Sequence, residues 1–135
     1  MGVMKVVTAA IIQKGEMVLI ARRAPQSKLA GLWEFPGGKV EELETPAQCL
    51  ARELQEELNI QAEVGEHVCS SEYHYSHGSF RIEAYFAHWV DGQILLKDHD
   101  MVEWALPFEL ENYALLPADI PIARMLAHRH NTPKS

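Results

Sequence analysis

Apolar positions along this chain follow two rhythms, and most of it keeps the shorter one. Val3 to Gln13 and Met17 to Arg23 are dense in β-branched and other apolar residues, with Lys14-Gly15 between them, which predicts two strands joined as a hairpin. A loop over Ala24 to Leu32, marked by Pro25, Ser27 and Gly31, leads to Trp33-Glu34-Phe35, a short third strand. Ala62 to Tyr75 and Phe80 to Val90 predict two longer strands, joined at Ser76-His77-Gly78-Ser79, where glycine permits a tight turn. Phe80, Ile82, Ala84 and Phe86 alternate with Arg81, Glu83 and Tyr85, the pattern of a strand with one buried face. Beyond the Asp91-Gly92 turn, Ile94, Leu95 and Leu96 read as another short strand, and an acidic loop, Lys97-Asp98-His99-Asp100, precedes a strand at Glu103-Trp104.

The helical rhythm begins at Thr45. Its hydroxyl caps unpaired N–H groups, Pro46 gives up an N–H that would have had no partner, and Gln48 reaches back to the cap. At about 100° per residue, Ala47, Leu50, Ala51, Leu54 and Leu58 share one side and predict the buried face. Asn59 follows where the helix should end, a position that takes left-handed backbone, which asparagine tolerates better than most residues. Pro107 to Asn112 predicts a short helix. Asp119 to His130 predicts the last, with Ile120, Ala123, Met125, Leu126 and Ala127 as its apolar surface.

The first helix carries the chemistry. Glu53, Glu56 and Glu57 fall together on the side away from the leucines, where like charges at these spacings each cost a few tenths of a kcal/mol. Arg52 offers local relief, and a divalent cation would relieve the rest. Clustered carboxylate oxygens suit a hard ion such as Mg²⁺ or Mn²⁺, bound through a few carboxylates together with water and substrate phosphates. Gly37 and Gly38 stand just before, behind Pro36, where backbone without a β-carbon can take positive φ and let a ligand approach, so that a carbonyl there joins the metal shell. The other reading of the acidic side is a solvated helix face.

From Gly38 the spacing G-x5-E-x7-R-E-U-x-E-E-x-(G)-U, with U apolar, resembles the Nudix box: Gly38, Glu44, Arg52, Glu53, Leu54, Glu56, Glu57 and Ile60 stand in register, and Asn59 replaces the usual glycine. The segment SKLAGLWEFPGGKVE resembles the MutT-like branch, and LLPADIP resembles members acting on cytidine nucleotides, so the likeness covers nearly the whole chain.

Composition agrees and narrows the partner. The 135 residues suffice for one domain, expected over residues 1–130 with residues 131–135 as a frayed tail. A net charge of −7 with no basic stripe argues against a nucleic-acid polymer, leaving a small anionic substrate that arrives with metal. Cys49 and Cys69 match neither a C-x-x-C pair nor a zinc spacing, which favours a reduced, cytoplasmic protein. Cys49 either lines the site beside Glu53 or packs in the core. No apolar stretch is long enough to span a membrane, and no leader pattern opens the chain.

The resemblance implies an α/β/α sandwich with a mixed sheet and Mg²⁺-dependent hydrolysis of a nucleoside triphosphate, of the CTP, 5-substituted pyrimidine or 8-oxo-dGTP type, by a monomer or weak homodimer that sanitises the nucleotide pool. Glu53, Glu56, Glu57 and the Gly37 carbonyl would hold metal, with Glu44 and Arg52 bracing the loop and helix. Asp98 stands at the place of a further carboxylate, with Asp100 and Glu103 as substitutes; Glu53 is the first choice of general base and Asp98 the second. Lys39 either holds phosphate or is solvated. Adjacent strand residues face opposite ways, and the likeness picks Arg23 over Arg22 for the nucleotide. Phe35 is read equally as a base contact or as core, and Asp119 as a base contact or as an N-cap. Tyr75 is the residue of the Tyr73, His74, Tyr75 and His77 group taken to touch a base; the histidines are hairpin or pocket-wall residues, since imidazole prefers softer metals. The alternatives are a Nudix enzyme for nucleotide sugars or ADP-ribose, whose members commonly carry extra N-terminal structure, and a non-catalytic sensor, which tends to lose box glutamates.

Overall fold

The computed structural model describes residues 4–76 and 78–131, without the side chains of 130 and 131. Val3, His77 and residues 132–135, which enter the expectations above, lie outside the described residues. The strands are β1 (Met4–Lys14), β2 (Met17–Arg23), β3 (Trp33–Glu34), β4 (Gln61–Tyr75), β5 (Gly78–Asp91) and β6 (His99–Ala105). The helices are α1 (Pro46–Leu58) and α2 (Ile120–Asn131), with 3-10 turns at Pro107–Asn112 and Pro117–Asp119.

The strands lie in the order β3-β2-β1-β5-β4, with β6 on the other edge of β2. β1 runs parallel to β5 from Met4↔Ser79 to Ile12↔Ala87, and the remaining pairs are antiparallel. The sheet is therefore mixed, as expected. Near-continuous apolar runs in β1 and β2 have their cause in burial on both faces. Ala9, Ile11, Val18 and Ile20 pack toward Ile122 and Leu126 of α2, whereas Ala10, Ile12 and Leu19 pack toward Leu50, Leu54 and Leu58 of α1. Each fully buried leucine contributes about 1.5–3 kcal/mol relative to exposure. The result is an α/β/α sandwich.

The β1–β2 hairpin is brief. Only Gln13↔Val18 and Lys14↔Met17 pair, after which the strands part. Residues 36–40 occupy the vacated edge of β1: Ala10 N–H donates to Pro36 O at 2.7 Å, Thr8 N–H to Gly38 O at 2.7 Å and Val40 N–H to Val6 O at 3.0 Å. The Pro-Gly-Gly segment is thus held as a pseudo-strand.

Five local expectations change. Residues 94–96 are not a strand, because Leu95 N–H donates to Leu58 O at 3.0 Å and Asn59 Nδ2 to Gln93 O at 3.2 Å, closing the end of α1. Leu95 itself is 63% exposed. His99 and Asp100 belong to β6, not to the loop before it. Ala47 is exposed, while Cys49 takes a place on the buried side of α1. In α2, Met125 is largely exposed and Ile122 fully buried. The alternation in β5 buries one face only in its first half; farther on Tyr85, Ala87 and Trp89 join the α1-side core.

Candidate active site

The start of α1 is fixed as its sequence requires. Gln48 N–H donates to Thr45 Oγ1 at 3.1 Å and Thr45 N–H to Gln48 Oε1 at 2.9 Å, a reciprocal capping box. Asn59 closes the helix at φ 60°. The register of every side chain between these caps follows.

Gly37 and Gly38 need space, not positive φ; neither lies among the positive-φ residues. A β-carbon on Gly37 would overlap the Thr8 carbonyl oxygen, and one on Gly38 would overlap the Glu53 carboxyl group. Glycine therefore lets the loop lie flat on β1 and lets Glu53 lie flat on the loop. Pro36 and Gly38 turn their carbonyls into β1. Strand alternation then directs the Gly37 carbonyl away from β1.

Arg52 ties the acids together. Its Nε donates to Glu44 Oε2 at 2.7 Å and Nη2 to Glu44 Oε1 at 3.0 Å; Nη1 donates to Glu53 Oε1 at 2.9 Å and Glu56 Oε2 at 3.2 Å, and Nη2 also to Lys39 O at 3.4 Å. Glu44, hydrogen-bonded by that guanidinium and by the Glu41 N–H, is held down to about 2. Glu57 goes the other way. Burial pushes it far above the usual carboxylate range, and the charges of Glu53, Glu34 and Asp98 add to the effect. Cys49 is buried between Thr8 Oγ1, at 3.4 Å, and Gly38 O, at 3.5 Å, which settles it as packing.

A cleft of about 340 Å³ runs from this acidic end across the sheet. Glu57, Gly37, Gly38 and Lys39 line one end, while Arg23, Glu34, Phe35 and Asp119 line the remainder. Arg22 turns outward to Asp100, Nε to Oδ1 at 2.7 Å, so the two arginines do face opposite ways. Phe35 is 3% exposed; it belongs to the α2-side core and also lines the cleft. Asp119, 5% exposed, accepts the Phe35 N–H at 3.2 Å. That bond crosses the fold instead of entering the first turn of α2. Burial, then the charge of Glu34, push the Asp119 carboxyl up to about 8, so it is mostly protonated at neutral pH.

A family model described as the NUDIX domain matches residues 3–129. The chain belongs to the Nudix family. The CTP pyrophosphohydrolase of Escherichia coli (strain K12) is 44% identical to it over 116 residues, 86% of each chain. The 8-oxo-dGTP diphosphatase of Proteus vulgaris is 56% identical over 50 residues, 37% of this chain and 45% of that one. Among solved structures, the solution structure of the Escherichia coli ORF135 protein is similar at a TM-score of 0.84 and 42% identity, covering 99% of this chain and 96% of that one. The protein is accordingly a Nudix hydrolase.

Nudix hydrolases generally use divalent metal ions. Among the described residues no three His, Cys, Asp or Glu side chains form a ready-made cage. Mg²⁺ asks for less, one or two carboxylates with water and substrate phosphates, and the crowding of Glu53 against half-buried Glu57 is the charge arrangement such an ion would relieve. Glu56 is 54% exposed on its side chain and, like Glu53, is not among the residues that line the cleft. Asp98 is exposed and does not line the cleft, though its charge reaches Glu57. The substitutes are engaged elsewhere: Asp100 with Arg22, and Glu103 as acceptor of the Tyr113 hydroxyl at 2.6 Å. Tyr75 lies outside the cleft, in a neighbouring hollow.

Two residues escape sequence reasoning: Glu34, which lines this Nudix cleft, and His99, which holds Glu34 from outside it. Glu34 accepts from Arg23 Nη1, 3.3 Å to each oxygen, and from His99 Nε2 at 2.8 Å. His99 has a side chain only 2% exposed, and its Nδ1 has no hydrogen-bond partner among the described residues. The available signal for Glu34 was its position between Trp33 and Phe35, a lone acid on the opposite face of a short aromatic strand. His99 gave none, since a histidine amid Lys97, Asp98 and Asp100 reads as solvated loop.

Proposed function

We propose that this Nudix hydrolase converts nucleoside triphosphates to monophosphate and pyrophosphate with Mg²⁺ or Mn²⁺, taking cytidine-type and oxidised guanine nucleotides. One observation carries the reading: a single cleft has Glu57 of α1, crowded by the charge of Glu53, at one end and a buried, proton-holding Asp119 at the other. The names of the relatives, a CTP pyrophosphohydrolase and an 8-oxo-dGTP diphosphatase, support the same two bases.

Glu53, Glu57 and the Gly37 carbonyl would hold the ion, with the more exposed Glu56 beside them. Bound there, a divalent cation neutralises phosphate oxygens and lowers the pKa of water. Glu44 and Arg52 keep the loop and helix in fixed relation, so that the donor set is in place before substrate arrives. Glu53 takes the proton of the attacking water, with Asp98 as the alternative base. The water oxygen bonds to phosphorus, the anhydride P–O bond breaks, and pyrophosphate leaves. In this reading Lys39 meets phosphate, and Arg23 and Phe35 meet the base.

Asp119 explains the two substrate classes. A neutral carboxyl offers one O–H donor and one C=O acceptor, the complement of cytosine N3 and its N4 amino group. An ionised one offers acceptors only and suits the N1–H and N2 amino donors of guanine or 8-oxoguanine. Near neutral pH both forms are accessible. The test is pyrophosphate release from CTP, 8-oxo-dGTP and UTP beside hydrolysis of ADP-ribose. Turnover of CTP and 8-oxo-dGTP well above UTP is expected; preference for ADP-ribose would replace the proposal with the dinucleotide reading.

A further inference from the structure

Beside the Asp119 end of the cleft opens a second hollow, of about 530 Å³. Phe80, Leu116 and Ala118 line both, so the two spaces share a wall. No residue of α1 and none of Gly37, Gly38 or Lys39 lines it, which places it at the base end of the cleft and away from the acids. Apart from Lys28, its remaining lining, Leu29, Tyr73, Tyr75 and Pro117, is apolar and aromatic. Tyr73 and Tyr75 stand over Phe80 with ring centroids 5.5 Å and 6.0 Å away, the spacing of interacting rings. A cavity of about 150 Å³ already accepts a benzene ring, so there is room for a group of that kind.

The fourth side is Leu29, whose features are otherwise unexplained. It is 61% exposed and holds φ 59°, a left-handed conformation that disfavours a leucine. Its loop is tied to the cleft: Arg23 Nε donates to Lys28 O at 2.6 Å, Arg23 N–H to Leu32 O at 2.9 Å and Gly31 N–H to Arg23 O at 3.0 Å. Arg23, which lines the cleft, thereby also ties down the loop that carries Leu29.

We propose that this hollow is a subsite for an apolar or aromatic substituent carried on the base of the nucleotide, so that nucleotides with bulky base adducts bind this chain more tightly than the unmodified ones. The proposal rests on the nucleotide reading of the cleft and extends it. A second copy of the chain is the other occupant such a surface invites, but continuity with the base end favours a group that arrives attached to the base.

The test separates binding from turnover. Calorimetry with metal-free protein would compare CMP with its 5-phenyl derivative. The derivative is expected to bind about tenfold tighter. Leu29→Asn should abolish that difference while leaving CMP affinity unchanged, and because asparagine tolerates left-handed backbone it should not lower Tm. Equal or weaker binding of the derivative, or a gain that survives Leu29→Asn, would overturn the subsite; so would a concentration-dependent dimer that the derivative fails to disturb. Hydrolysis of CTP is scored separately, since its absence with the phenyl preference intact would sink the triphosphatase reading and keep this one.

Discussion

On the proposed reading, the proton on Asp119 makes base choice depend on pH. Below about 8 its carboxyl is neutral and can donate to cytosine N3; above, it presents lone pairs to that atom and donors to none. The ratio of kcat/KM for 8-oxo-dGTP to that for CTP should therefore rise as pH passes upward through about 8. Asp119→Asn, which keeps one donor and one acceptor at all pH, should flatten that change while retaining CTP. Asp119→Ala should cost about 1–3 kcal/mol in kcat/KM for both substrates and little for UTP, the usual worth of a base-edge contact. Equal loss for every base would make Asp119 a structural residue only. His99 stands one step back from the cleft, bonded to Glu34. Removing its donor with His99→Phe should cost about 1.5–3 kcal/mol of stability, the value of a hydrogen bond to a charged group, and should raise KM more than it lowers kcat. His99→Gln, which can still offer an N–H to Glu34, should recover most of both; identical kinetics in all three proteins would show that Glu34 needs only Arg23.

At the scale of elements, the loop 36–40 and α1 work as one piece, joined by Arg52 and pressed together where Gly38 meets Glu53. Two glycine substitutions separate their roles. Gly38→Ala pushes against a side-chain carboxyl that can rotate away, so Tm should fall little while kcat drops by orders of magnitude. Gly37→Ala pushes against the backbone of β1, which cannot yield, so it should lower stability by about 1–3 kcal/mol, the typical cost of overpacking. Thermal melts and pyrophosphate release on both variants check the contrast; equal melts would mean that the loop moves as freely as the side chain. Glu53→Gln and Glu57→Gln lie on the helix face away from Leu50, Leu54 and Leu58, and should abolish turnover with the circular-dichroism spectrum intact.

For the whole molecule, Glu57 and Asp119 couple folding to pH. Both carboxyls are raised in the folded protein above their unfolded values. The folded state then binds more protons than the unfolded one, so metal-free protein is most stable on the acid side of this window and loses stability as pH rises from the ordinary carboxylate range through about 8. Saturating Mg²⁺ should raise Tm, more at high pH than at low, by linkage to the ionised form of Glu57. Melts with metal and with chelator on either side of the window test this, and equal Tm values throughout would count against a cation at α1. What local sequence determined here is what short-range geometry determines: the capping box, the left-handed Asn59, the common face of Glu53, Glu56 and Glu57, and the spacing of the Nudix box. Helical turns and caps involve residues three or four apart, so their consequences are legible without a fold. The Pro36 to Val40 segment on the edge of β1, the hold of His99 on Glu34 across 65 residues and the burial of Asp119 against Phe35 across 84 were decided by tertiary structure alone. Desolvation and long-range strand pairing depend on which distant residues pack together, and the chain's local pattern carries no term for that.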